Sequence, residues 1–160
     1  MQCYINSDII NCLYIIDDIS KFYVAEFKSV DVNYDSGQEK IIDIFTDINW
    51  QQILFDSISI QTDHSVNSDS YTTTIKLSIS ELTNEVNLYT AEGKKFLILF
   101  VDKNNKCFCD GVLSNDNGYS LQNIQTEISN DNNIINFEFN KTSNNNIKEI
   151  DENYFNFNNI

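Results

Sequence analysis

Residues 95–102, KFLILFVD, put Phe96, Ile98 and Phe100 on one side of an extended chain and Leu97, Leu99 and Val101 on the other. A strand that is apolar on both faces has to lie inside a sheet covered on both sides. Lys103, Asn104 and Asn105 supply a turn, and CFCDGVL returns as the second half of a hairpin. The rest of the chain must therefore deliver enough apolar surface to cover this strand twice.

It delivers mostly strands. YTTTIKLSIS alternates cleanly, with Tyr71, Thr73, Ile75, Leu77 and Ile79 on one face and Thr72, Thr74, Lys76, Ser78 and Ser80 on the other. FYVAEFKSVDV, KIIDIF and DSISIQT read as further strands, and Trp50 in DINWQQILF as a core anchor. SLQNIQTEI sets Ile124 and Ile128 on one face, and IINFEFNK sets Ile135, Phe137 and Phe139 on one face. Turns are expected at Asp35-Ser36-Gly37 and in SNDNGY. Between residues 81 and 93 the period changes: Leu82, Val86 and Tyr89 fit about two helical turns, with Ser80 as a possible N-cap and Gly93 as the stop. The first twenty residues fit a helical stripe (Ile9, Ile10, Leu13, Ile16) or a strand equally well. The fold class expected is mainly β: an antiparallel β-sandwich or open barrel of about seven or eight strands with one short helix.

Composition narrows the function. The chain has 160 residues, 41% of them hydrophobic and 12% aromatic, which suits one folded domain. All ten basic residues are lysine, proline is absent, and Asn and Ile are frequent, a skew towards residues with A/T-rich codons. The formal net charge is −14, so direct binding to nucleic acid or to an anionic membrane is disfavoured. An acidic surface suits a basic partner, a DNA passage that must not stick, or a DNA-mimicking inhibitor. MQCYINSDII has neither the basic region nor the long apolar core of a secretory signal, and no membrane-span-length segment follows. Cytoplasmic synthesis and reduced thiols are expected for Cys3, Cys12, Cys107 and Cys109.

Motifs for chemistry are sparse. Cys107 and Cys109 share a face of one strand and read as packing residues, since a zinc site needs two more ligands at suitable spacing. His64, the lone histidine, falls in a polar run and reads as an exposed loop residue without a nucleophile motif. Asn115, Asn117 and Gly118 echo a calcium loop, but its first and twelfth ligand positions would be Leu113 and Ile124. No carboxylate pair stands out for glycoside hydrolysis, and no phosphate-cradling glycine loop is present. The expectation is no enzyme, no catalytic residue, no metal and no cofactor.

Residues 1–143 read as one β-domain. Residues 144–160 read as a C-terminal extension that is Asn-rich yet carries Ile147, Ile150, Tyr154, Phe155, Phe157 and Ile160. Either these residues pack on their own domain, or Tyr154, Phe155, Phe157 and Ile160 form an arm that docks on a neighbouring subunit or partner.

The succession DINWQQILFDSISI, YTTTIKLSIS, KKFLILFVDKNNKCFCDGVL and YSLQNIQTEISNDNNIINFEFNKTSN resembles the neck, ring and tail proteins of crAss-like phages that infect Bacteroides, over roughly residues 21–143. Cys107-Phe108-Cys109 departs from the aromatic-rich strand expected there. The resemblance implies a structural virion protein, made in the bacterial cytoplasm and located in the neck or tail. It would be a head–tail connector or tail-ring subunit in a homo-oligomer of about twelve or six copies. Its partners would be portal, neck and tail proteins around the DNA channel. The alternative is a carbohydrate-binding β-sandwich module of a phage fibre or receptor-binding protein, using exposed Asn and aromatic side chains.

Overall fold

The computed structural model describes residues 2–6, 9–16, 18–37, 40–80, 93–112, 116–129 and 132–157. Strands β1 (Gln2–Asn6), β2 (Ile9–Ile16) and β3 (Ile19–Glu26) come first. Short strands β4 (Val32–Tyr34), β5 (Lys40–Ile44) and β6 (Gln51–Ile53) precede the long β7 (Ser57–Ser65) and β8 (Ser70–Ile79). The hairpin β9 (Lys95–Asp102) and β10 (Cys107–Asp110) leads to β11 (Tyr119–Ser129), β12 (Asn132–Ser143), β13 (Lys148–Ile150) and helix α1 (Glu152–Phe157).

The protein is mainly β, and its described strands form one open sheet of 13 rather than the seven or eight expected. The ambiguous N-terminal segment is an antiparallel strand pair, and β4, β6 and β13 have three residues each, too few to show a period. The helix expected over residues 81–93 falls almost wholly outside the described residues, apart from Gly93. Gly93 has a φ of +81° and its N–H donates to the Leu121 carbonyl.

The strand order is β1-β2-β7-β8-β12-β11-β9-β10-β13-β5-β4, with β3 on the other edge of β9 and β6 on β3. Strand β9 is the pivot. Its β10-facing edge is shared: all of β10 pairs with Ile98–Val101, and Tyr119 and Ser120 of β11 pair with Phe96 and Lys95, both strands running antiparallel to β9. The sheet folds over at this junction, so that β7, β8, β11 and β12 face β3, β6 and β9.

Six consecutive residues of β9 are buried, 96–101, and they divide between two cores. Phe96, Ile98 and Phe100 meet Phe22, Ile60, Ile75, Leu77, Phe137 and Phe139 in the first. Leu97, Leu99 and Val101 meet Tyr23, Ile41, Ile44, Cys107, Cys109 and Ile150 in the second. The second core forms because β13 runs parallel to β5 and brings β5 and β4 over the far face of β9 and β10. The outer face of β8 and β12 is instead a polar ladder, with Thr74 Oγ1 donating to Asn140 Oδ1 at 2.8 Å and Ser78 Oγ to Asn136 Oδ1 at 2.6 Å.

Turns follow the expected chemistry at 103–105, where Asp102 Oδ1 accepts from the Asn104 and Lys106 amides at 2.8 and 2.9 Å and Asn105 takes a φ of +62°. Gly118, which leads into β11, has a φ of +69°, and a Cβ there would lie 2.6 Å from the Phe27 ring and 2.9 Å from the Phe96 carbonyl oxygen. Separate truncation of the two cores tests the double burial of β9. Ile98→Ala and Leu97→Ala are each expected to cost about 2–5 kcal/mol in urea unfolding, because each opens a cavity on a different face.

Candidate functional site

Beyond Phe139 the inward alternation of β12 continues to Lys141, which is 3% exposed. Its register partner on β8 is Thr73, whose partner on β7 is Thr62, and the two threonine hydroxyls lie 3.0 Å apart. From the facing part of the sheet, Asp110 at the end of β10 reaches Lys141, with 2.5 Å between Nζ and Oδ1. Tyr119 donates its hydroxyl to Asp110 Oδ2, and the Gly111 amide donates to Oδ1 at 2.8 Å. Asp116 adds a second carboxylate, its Oδ1 3.7 Å from Lys141 Nζ and 3.1 Å from Asn145 Nδ2. Lys141 also donates to the Asn145 carbonyl at 3.4 Å. Asp110 and Asp116 are 1% and 4% exposed, so the cluster is closed to bulk water.

Burial pushes the Asp110 carboxyl above its ordinary value, against the pull of Lys141 in the other direction. Burial, then the Asp110 charge, pushes the Tyr119 phenol well up, and burial does the same to the Cys109 thiol behind it. Removing two carboxylates and an ammonium from water is costly, and their attraction offsets that cost only when the geometry satisfies the remaining donors and acceptors. Here backbone, phenol and amide groups do so. Chemically, the cluster is an amine held against a carboxyl group, with a second carboxylate 3.7 Å from the amine and solvent excluded.

A cleft of about 250 Å³ lies beside it, lined by Tyr14, Ile15, Ile16, Thr62, Phe108 and Ile147, among others. Thr62 is common to the cleft and the polar row. A second, polar cleft of about 270 Å³ on the outer face is lined by Lys76, Ser78, Gln125, Asn136 and Glu138, with Leu77 and Phe137 behind.

His64 is not an exposed loop residue. It lies in β7, opposite Tyr71, with the two rings stacked at 4.1 Å between centroids and its Nε2 3.6 Å from Asp69 Oδ1. The strand outlasts the polar run because Tyr71 covers the imidazole. Cys12 pairs with His64 on one side and with Cys3 on the other, and the two cysteines form a disulfide where free thiols were expected. Facing positions on neighbouring strands bring the sulfur atoms together, a pairing that spacing along the chain does not reveal. Cys107 and Cys109 are free and buried.

Of the expected interface residues, Tyr154 is taken up by its own chain: it is buried in the second core, and its hydroxyl accepts from Trp50 Nε1 at 3.2 Å. Phe155 and Phe157 belong to α1, their side chains are outside the described residues, and Ile160 is outside them altogether. Within the segment 144–160, Lys148–Ile150 is the strand β13 between β10 and β5. Sequence reading missed Lys141, Asp110, Asp116 and Tyr119. The signal available was Lys141 itself, two residues beyond Phe139 on the inward face.

Among the described residues, no group of three or more His, Cys, Asp or Glu is arranged to hold a metal ion, and no helix is long and apolar enough to cross a membrane. No protein-family model matches the chain, and no curated protein or solved structure is significantly similar to it.

Two predictions follow from the burial of these groups. Lys141→Met leaves Asp110 and Asp116 without their cation and is expected to lower unfolding stability by about 3–5 kcal/mol in urea titration. Alkaline pH is also expected to destabilise the fold. Cys109 and Tyr119 ionise at ordinary values of 9.0 and 10.0 when exposed and higher when buried, so the unfolded chain releases protons first. The urea midpoint should therefore fall as pH rises from about 9 upward, and Tyr119→Phe should reduce that dependence.

Proposed function

We propose that the chain is a structural virion protein of a crAss-like phage. It serves as a subunit of a head–tail connector or tail ring that assembles with portal and tail proteins around the DNA channel. The observation that carries this reading is the open sheet with unlike ends. Among the described strands, β1 closes one end of the strand order with the uncharged sequence QCYIN, β4 closes the other, and the three-residue β6 ends the branch through β3. Free edges are ordinarily guarded by charge or proline, because unpaired backbone groups invite a further strand. Tyr4 and Ile15 stand exposed near the first end, Ile42 and Phe45 near the second. Unlike ends such as β1 and β4, joined between subunits, make a heterologous contact, which generates a ring when the rotation closes. The net charge of −14 per copy keeps such an assembly from adhering to DNA.

Light scattering on the purified protein is expected to give a closed oligomer, and Tyr4→Lys, which puts a charge on the β1 edge, to reduce it to monomer. Mass spectrometry of particles should then find the chain in fixed copy number relative to the portal. A persistent monomer with no affinity for portal or tail proteins overturns the proposal. The outer polar cleft, lined by Lys76, Ser78, Gln125, Asn136 and Glu138, favours a second reading, a carbohydrate-binding module of a phage fibre. Glycan-array binding that is lost in Asn136→Ala would move the assignment there.

A further inference from the structure

We propose that Lys141 and Asp110 join covalently through an intramolecular isopeptide bond, with Asp116 as the proton carrier, so that the two facing parts of the sheet become cross-linked. Three independent features support it. The first is approach: Lys141 Nζ is in direct contact with the Asp110 carboxyl group, and β12 and β10 hold the two side chains in place from different parts of the sheet. Positioning of this kind converts a sluggish bimolecular condensation into an intramolecular one. The second is dryness. Both side chains are 1% exposed, with the Tyr119 ring against the Lys141 ammonium, and an amide replaces two buried charges with a neutral group. The third is the second carboxylate, Asp116, whose Oδ1 is 3.7 Å from Nζ. An ion pair alone has no need of it, whereas a condensation needs a group to move a proton from nitrogen to the departing oxygen.

The step balances within the cluster. One proton passes from the Lys141 ammonium to the Asp110 carboxylate, leaving a neutral amine and a neutral acid, a transfer that the upward push of burial on Asp110 favours. The Nζ lone pair attacks Asp110 Cγ, and the N–C bond forms. Tyr119 Oη donates to Oδ2 and steadies the charge that develops on that oxygen. Asp116 takes a proton from nitrogen and gives it to the leaving hydroxyl, the C–O bond breaks, and one water departs. No oxidant, reductant or cofactor takes part.

The bond would close a loop between residues 110 and 141, tying β10 to β12 across the fold. It is independent of the proposed function, since a monomer can carry it as readily as a ring subunit.

Mass spectrometry of the denatured, reduced protein tests it directly. The intact chain is expected to weigh about 18 Da less than its sequence, with a fragment spectrum joining the peptide of Asp110 to that of Lys141. Lys141→Arg and Asp116→Ala should restore the full mass, and Asp110→Asn should form the same link while losing ammonia, about 17 Da. A full sequence mass in the folded wild-type protein overturns the proposal, as does a link from Lys141 to Asp116. Because the wild-type measurement stands alone, a variant that fails to fold does not decide the question.

Discussion

Burial of β9 on both faces is the constraint from which the remaining architecture follows. Phe96, Ile98 and Phe100 need one apolar layer and Leu97, Leu99 and Val101 need another, on opposite sides of a ribbon one residue thick. A single sheet meets that demand by bending back over each face in turn. The bend requires one edge of β9 to serve two partners, β11 at Lys95 and Phe96 and β10 from Ile98 onward. Where β10 ends and β11 begins, the chain passes close to the Phe96 carbonyl. Gly111 and Gly118, both at positive φ, lie against each other there, and the missing Cβ at Gly118 leaves the space that the Phe27 ring occupies.

The same fork explains why the most demanding polar groups lie where they do. Where two partners leave one edge, backbone and side-chain polar groups end up between layers rather than in water. Asp110 lies at one side of the fork and Tyr119 at the other, with Lys141 brought in from β12. A hydrophobic trio of similar volume would fill this space at lower desolvation cost, so the cluster is better understood as specifying one register of β10, β11 and β12 than as adding net stability. An amide between Lys141 and Asp110 would keep that specification and remove the charge.

Much of this was legible from alternation. The two faces of β9 separate in the structure as they do in KFLILFVD, and the inward positions of β8 and β12 are the Ile, Leu and Phe residues of YTTTIKLSIS and IINFEFNK. Elements of three residues were not legible, because Val32–Tyr34, Gln51–Ile53 and Lys148–Ile150 are held by long-range partners and not by a local period. Pairings between distant strands were equally hidden. Nothing along the chain says that Cys12 lies between Cys3 and His64, or that His64 stacks on Tyr71. Lys141 was obscured by its chemistry: a lysine two residues past Phe139 has the parity of a core residue and the expectation of a surface one.

The polar cluster and the sheet edges bear on one another through mechanics. On the proposed assembly, neighbours attach at β1 and at β4, the two ends of the strand order. Tension between neighbours then runs through every strand pair in that order, and the shortest are the junctions of β11 with β9 and of β13 with β5, each only two register pairs long. Backbone bonds from Gly93 to Leu121 and from Leu121 to Lys94 extend the β11–β9 junction slightly. Hydrogen bonds in so short a ladder yield one after another under load. Lys141 and Asp110 span the same gap from β12 to β10, one strand beyond the junction on either side. A tie at that position acts in parallel with one of the two shortest ladders in the load path, so that a subunit held by its edges is reinforced there.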